Sequence, residues 1–196
     1  MIWEQNSRVI VSLTDLDQDD EKSYKYWNNL ENSAVTLKFQ ITNVTNNTSR
    51  EITHFWFTDW PDNSFPTGLK DFLSRLKEMN REQYSLIKNA ADSFQPGPIV
   101  VHCATGVGWT GTFCAIDNAL AQLKEEKRVL LPQTVLKIRN QRHSSVLLPE
   151  QYGFCYKVLE HVLQEEAKNQ VAPLIPQNKR CGMYVPDSRR KEIKIV

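Results

Sequence analysis

Residues 102–111 read HCATGVGWTG and are followed by the apolar run TFCAIDNALAQL. The residues IVVH at 99–102 predict a short buried strand, and the apolar run predicts a helix that begins at about Thr110. A glycine-rich turn between a strand and a helix directs successive backbone N–H groups and a helix N-terminus at one point. The turn is therefore suited to hold a dianion such as phosphate, and the same field favours the thiolate form of Cys103.

This turn resembles the signature of the protein tyrosine phosphatases, His-Cys-x5-Arg-Ser/Thr-Gly. Other segments match the family in the same order, namely MIWE at 1–4, WPD at 60–62, TGTFC at 110–114 and QY at 151–152. Several motifs in register make the resemblance specific over about residues 1–163, whereas a glycine-rich turn by itself is a weak signal. The shortened layout and the altered turn are most similar to the bracovirus tyrosine-phosphatase-like proteins.

The resemblance implies roles for individual residues. Cys103 would be the nucleophile, His102 would tune its thiolate, and Thr110 would help to expel it from the covalent intermediate. Asp62 would be the general acid that protonates the leaving group and later activates water. Gln151 matches the second of two family glutamines and would have a supporting role. The phosphate-binding loop would consist of His102, Ala104, Thr105, Gly106, Val107, Gly108 and Trp109 around Cys103.

These roles compete with plainer interpretations of the same residues. A cysteine at the end of an apolar strand is usually a buried structural residue, and His102 fits a half-buried, hydrogen-bonded histidine. The segment that contains Asp62 reads as an ordinary turn when the family is ignored. It also lacks the glycine that follows this motif in the family, so its hinge freedom is reduced.

Trp109 is the main departure from the family, which has arginine at this position. The guanidinium would make two charge-assisted hydrogen bonds to phosphate oxygens. At about 1.5–3 kcal/mol per bond, its loss costs on the order of 3–6 kcal/mol, or roughly 10²–10⁴-fold in rate. Leu147 stands where the family has a glutamine that orients the hydrolytic water. We also expect the family's N-terminal segment, with its tyrosine-bearing recognition loop, to be absent.

Composition limits the other function classes. The 196 residues include 24 Lys and Arg against 23 Asp and Glu, so no bulk charge favours nucleic acid as a partner. No apolar run reaches the length of a membrane span, and MIWEQNSR at 1–8 lacks the pattern of a secretory signal. The four cysteines have no CxxC spacing, so neither a zinc site nor a disulfide framework is predicted. We expect a cytoplasmic protein without metal or cofactor.

Hydrophobic patterning predicts strands at residues 8–13, 35–41 and 51–58, with the last two paired as a hairpin. Helices are predicted at residues 67–94, with a bend near Asn80, and at residues 132–141 and 149–164. The expected fold class is α/β, with a central twisted mixed sheet flanked by helices. A tyrosine-phosphatase-like domain, incomplete at its N-terminus, would occupy residues 1–166, and residues 167–196 would form a polar, basic tail that is extended or disordered.

Three functional hypotheses follow. The leading one is a catalytically impaired tyrosine-phosphatase-like protein that binds or competes for phosphotyrosine signalling proteins. The resemblance to bracovirus proteins would place it in the host immune-cell cytoplasm, as a suppressor of host immunity. The alternative is a slow phosphatase that uses Cys103 as nucleophile and Asp62 as general acid. The third is a degenerate relict without a stable fold.

Overall fold

Four helices and five strands make up the part of the chain that the computed structural model describes, which is residues 1–13, 26, 36–57, 60, 65–66, 68–91, 95–171 and 194–195. In chain order they are β1 (Val9–Ser12), β2 (Thr36–Asn43), β3 (Thr48–Trp56), α1 (Leu69–Asn89), β4 (Val100–His102), α2 (Gly108–Glu126), α3 (Leu131–Gln141), α4 (Pro149–Val171) and β5 (Lys194–Ile195). The predicted α/β class is confirmed.

The strands form one mixed sheet in the order β2-β3-β1-β4-β5. Strands β2 and β3 are antiparallel and form the predicted hairpin, whereas β1 runs parallel to both β3 and β4. Strand β1 is VIVS and is buried along its whole length, as expected for a short β-branched strand inside a parallel sheet. Val11 of β1 lies opposite Val101 of β4. The next residue, His102, is the last of β4, and the turn begins there.

Side chains alternate between the two faces of the sheet, because successive residues of a strand point in opposite directions. Val9, Val11 and Val101 are fully buried in the larger core cluster, which also holds residues of all four helices. The opposite face carries a smaller cluster of Ile10, Ile52 and Val100, with Ile2, Phe39 and Ile41 packed against it. The sheet is therefore apolar on both sides, and the helices cover the face that supports the turn after β4.

Several predicted boundaries need correction. Helix α1 covers residues 69–89, so it is shorter than the predicted 67–94, and it continues through Asn80 as one helix. The Asn80 side chain donates to the carboxylate of Asp117 at 2.6 Å and to the Leu76 carbonyl at 3.2 Å, so its polar group is satisfied within the helical bundle. Helix α2 begins at Gly108, two residues before the predicted start at Thr110.

The C-terminal part of the chain also differs from the prediction. Helix α4 extends from Pro149 to Val171, so it passes the expected domain end at residue 166. Lys194 and Ile195 form strand β5, which pairs in parallel with Val100 and Val101 of β4. The remainder of the predicted tail lies outside the described residues.

Candidate functional site

The anion loop, residues 102–109, lies between the end of β4 and the start of α2. The Cys103 sulfur accepts two hydrogen bonds, from the Gly106 N–H at 3.2 Å and from the Thr110 hydroxyl at 3.1 Å. Its side chain is only 9% exposed. Both contacts use the sulfur as an acceptor, which is the arrangement that a nucleophilic thiolate requires.

Two glycines allow the loop to take this shape. Gly106 has a φ of 67°, in the left-handed region that residues with a side chain rarely adopt. A Cβ atom on Gly108 would lie 2.6 Å from Nε2 of Gln151, so this glutamine packs directly against the loop. Gln151 is 4% exposed, and its Oε1 accepts the Leu148 N–H at 3.1 Å. The predicted supporting residue is therefore adjacent to the loop.

Residues 142–148, between α3 and α4, pack behind the loop through contacts that sequence reasoning missed. Arg142 Nε donates to the Gly106 carbonyl at 2.8 Å. Arg139 donates to the carbonyls of Ser145 and Val146 at 2.9 and 2.7 Å. Basic residues at the end of a helix are common for electrostatic reasons, so neither arginine gives a specific signal in the sequence. Arg142 therefore holds the anion loop in place through a charge-assisted hydrogen bond to the Gly106 carbonyl.

The indole of Trp109 is half-buried and packs among other rings. Its centroid lies 5.3 Å from that of Trp60 and 5.3 Å from that of Phe65, both in edge-on geometry. Phe65 in turn stacks on Phe154 of α4 at 4.7 Å. Indole has one N–H donor and no charge, so it cannot reproduce the bidentate contact of an arginine.

On the other side of the loop, His102 contacts Tyr26, another partner that the sequence did not indicate. His102 Nε2 lies 2.8 Å from the Tyr26 hydroxyl oxygen, and the Tyr26 ring contacts both His102 and His54. Burial lowers the pKa of His102. Burial, together with the nearby His102, lowers the pKa of His54 to about 4. Both imidazoles beside the loop are therefore neutral at neutral pH.

The stability of the protein is expected to fall as the pH falls from 7 to 5. His54 has a pKa of about 4 when folded and about 6.5 when unfolded. As the pH falls, His54 is therefore protonated in the unfolded chain before it is protonated in the folded protein. The contribution of neutral His54 to the free energy of unfolding is fully present above pH 6.5 and is lost progressively towards pH 4. The expected loss between pH 7 and 5 is about 2 kcal/mol, or about 4–8 °C in Tm.

Thermal unfolding at pH 7, 6 and 5 measures this effect. His54→Gln should flatten the dependence, and His143→Gln, at an exposed histidine, serves as the matched control. An unmodified protein with the same Tm throughout this range would contradict the assignment to His54.

Two other predicted positions are Asp62 and Leu147. Trp60 is 1% exposed, but Asp62 lies outside the described residues. Leu147 is 58% exposed and has no hydrogen-bonding side chain. Ala104 and Thr105 are exposed, and Val107 is half-buried. The structure thus groups His102, Cys103, Gly106, Gly108, Trp109, Thr110 and Gln151 at the loop.

The described ranges contain no group of three or more His, Cys, Asp or Glu residues that is placed to hold a metal ion. Cys103, Cys114 and Cys155 are free thiols. Burial raises the pKa of the Cys155 thiol to about 12. No described helix combines the length and the hydropathy needed to cross a membrane.

The chain matches one protein family over most of its length. The family profile for protein-tyrosine phosphatase matches residues 1–161. Tyrosine phosphatase H3 of Microplitis demolitor bracovirus (isolate Webb) is 48% identical over 187 residues, covering 86% of this chain and 58% of that protein. Probable tyrosine phosphatase protein H4 of the same virus is 44% identical over 161 residues, covering 72% of this chain and 87% of that protein.

The more distant relatives include cellular proteins. Tyrosine-protein phosphatase non-receptor type 9 of Homo sapiens is 33% identical over 190 residues, covering 85% of this chain and 32% of that protein. The chain therefore spans less than two thirds of the length of H3 and about a third of the human protein. Because the profile covers most of the chain and the viral relatives are this similar, the chain belongs to the protein-tyrosine phosphatase family, and its resemblance to the bracovirus members is confirmed.

Proposed function

We propose that this chain is a catalytically impaired tyrosine-phosphatase-like protein that binds phosphotyrosine-containing signalling proteins. The main support is the anion loop, in which Cys103 accepts hydrogen bonds from Gly106 and Thr110 while position 109 carries an indole packed among rings. Backbone N–H groups and a helix N-terminus are sufficient to attract a phosphate. Without the guanidinium, the loop lacks the charge that stabilises the transition state of phosphoryl transfer.

The individual roles belong to the same proposal. Cys103 keeps the nucleophile position, Thr110 the hydroxyl beside it and Asp62 the general-acid position. Gln151 supports the loop through its contact with Gly108. Leu147 has no group that holds a hydrolytic water, so a covalent intermediate would be hydrolysed slowly. Binding without turnover is the expected outcome, and it needs neither a metal nor a cofactor.

The viral relatives motivate the biological setting of the proposal. A phosphotyrosine binder without turnover would occupy signalling proteins and compete with active phosphatases for them. We place this action in the cytoplasm of host immune cells, where it would suppress signalling and act as a virulence factor. We assign the domain that carries it to residues 1–166. The profile match over residues 1–161 and the position of the loop support this assignment, although α4 continues past the boundary to Val171.

A slow phosphatase is the second candidate. The donors to the Cys103 sulfur favour it, because Gly106 and Thr110 lie where they would stabilise this sulfur as a nucleophile and later as a leaving group. In that case Asp62 would act as general acid, and the rate would be roughly 10²–10⁴-fold below that of a loop with arginine. The two candidates differ in one measurable property, because only the slow phosphatase shows turnover that depends on Cys103.

The test combines peptide binding with hydrolysis of a small aryl phosphate. The unmodified chain should bind a fluorescent phosphotyrosine peptide in an anisotropy assay, should not bind the same peptide without phosphate, and should release it when vanadate is added. Gly106→Val should abolish binding, because a β-branched residue is strained at a φ of 67°. Gly153→Ala, on α4 with no atom near its Cβ position, is the matched control.

Hydrolysis is compared between the unmodified chain and Cys103→Ser. Equal background rates in both proteins support binding without turnover. A rate that disappears in Cys103→Ser would establish the slow phosphatase instead. Failure to bind the phosphorylated peptide while the protein unfolds cooperatively would refute the binding function.

A further inference from the structure

Among the residues that the structure describes, seven aromatic rings form a continuous cluster beside the anion loop, with centroids 4.7–6.5 Å apart along its contacts. The members of this aromatic cluster are Phe57, Trp60, Phe65, Phe72, Trp109, Phe113 and Phe154. They come from α1, α2, α4 and the chain that follows β3. Edge-to-face and stacked aromatic pairs at these distances are attractive beyond the area that they bury.

Trp109 occupies a distinctive position in this cluster. It belongs both to the anion loop and to the first turn of α2, and its indole contacts Trp60 and Phe65. Trp60 continues to Phe72 and Phe154, and Phe65 stacks on Phe154. Trp109 therefore connects the end of the loop with α4 and α1 through ring contacts alone.

We infer that Trp109 is the packing anchor of the anion loop, holding the loop and the start of α2 against Trp60 and Phe65. The exchange of arginine for tryptophan then removes a charge and adds packing at the same position. The loop keeps its shape through these ring contacts whether or not an anion is bound. This role does not depend on phosphotyrosine binding or on turnover.

The first test is a double-mutant cycle on thermal stability. Trp109→Leu and Phe65→Leu should each lower the Tm, the former by about 4–8 °C. Because the two rings touch, the double variant should lose about 2–4 °C less than the sum of the single losses. Trp109→Phe keeps a ring at this position and should recover part of the loss, and it keeps the test usable if Trp109→Leu does not fold.

The control cycle pairs Trp109→Leu with Phe39→Leu. Phe39 is a partly buried phenylalanine like Phe65, but it packs on the smaller core cluster at the opposite face of the sheet. Its effect should therefore add to that of Trp109→Leu. If the Tm losses of Trp109→Leu and Phe65→Leu simply add, the proposed anchor role is wrong. The same holds if the Trp109 and Phe39 pair shows a coupling as large as that of the Trp109 and Phe65 pair.

A spectroscopic measurement tests the contact itself. Two indoles at a centroid distance of 5.3 Å should give an exciton couplet in the ultraviolet circular dichroism spectrum. The couplet should disappear in both Trp109→Phe and Trp60→Phe. It should persist in Trp3→Phe, because the Trp3 ring lies under the Arg50 guanidinium at 3.8 Å. A couplet that survives in Trp109→Phe would contradict the proposed packing, while the peptide-binding result would stand unaffected.

Discussion

Trp109→Arg is expected to raise kcat/KM for a small aryl phosphate by roughly 10²–10⁴-fold over the unmodified chain. The reason is that the Cys103 sulfur is bonded by Gly106 and Thr110, and these two contacts do not involve the indole and should persist in the variant. A guanidinium adds two charged hydrogen bonds to the phosphoryl oxygens as the transition state forms. The same substitution should lower the Tm, because it removes an indole from contact with Trp60 and Phe65.

Steady-state hydrolysis and thermal unfolding of the same samples measure both effects. Trp109→Lys is the matched control, since it adds a charge without the planar fork and should gain much less activity. Cys103→Ser in the Trp109→Arg background should abolish the gain. Adding Leu147→Gln should raise the steady-state rate further if hydrolysis of the covalent intermediate is limiting. A Trp109→Arg protein that is folded yet no faster than the unmodified chain would contradict the prediction.

Gly97→Ala is expected to destabilise the protein by about 3 kcal/mol or more, lowering the Tm by about 6–12 °C. A Cβ atom at this position would lie 1.8 Å from the Gln5 carbonyl oxygen and 3.0 Å from the Ser7 nitrogen. Both are backbone atoms, so no side-chain rotation relieves the overlap. Gly97 also donates to the Asn6 carbonyl at 2.8 Å, which ties the N-terminal turn to the chain that leads into β4.

The effect is measured by thermal unfolding followed by circular dichroism. Gly153→Ala is expected to have the opposite effect. Apart from the backbone of α4 itself, no atom of the described residues lies within 4 Å of the Cβ position of Gly153. Alanine is favoured over glycine in a helix by about 0.5–1 kcal/mol, so this variant should be slightly more stable. Equal Tm values for Gly97→Ala and the unmodified protein would show that the N-terminal turn does not pack as described.

The strand, turn and helix around Cys103 were predictable because their signals are local. The β-branched residues before His102 favour a strand, and the glycines at 106 and 108 permit the turn. The hydrophobic patterns of β2 and β3, which are separated only by a short polar turn, likewise predict a hairpin. In each case the interacting residues are close in sequence, so propensity and periodicity carry the information.

The supporting contacts were not predictable in this way. Arg142 reaches Gly106 across 36 residues, and Tyr26 reaches His102 across 76. Neither side chain differs in its local pattern from an ordinary surface residue. Trp109 illustrates both cases. Its position in the motif shows that the charge of the family's arginine is missing. Its ring partners Trp60 and Phe65 belong to a separate segment of the chain, so the local sequence does not indicate them.

The ring contacts of Trp109 also bear on how this loop can evolve. A single base change converts the tryptophan codon into an arginine codon, so the family's signature residue is one mutation away. An arginine at this position loses the contacts to Trp60 and Phe65 and leaves a less stable fold. Any gain in activity at position 109 is therefore expected to come with a loss of stability, which changes among the neighbouring rings would have to offset.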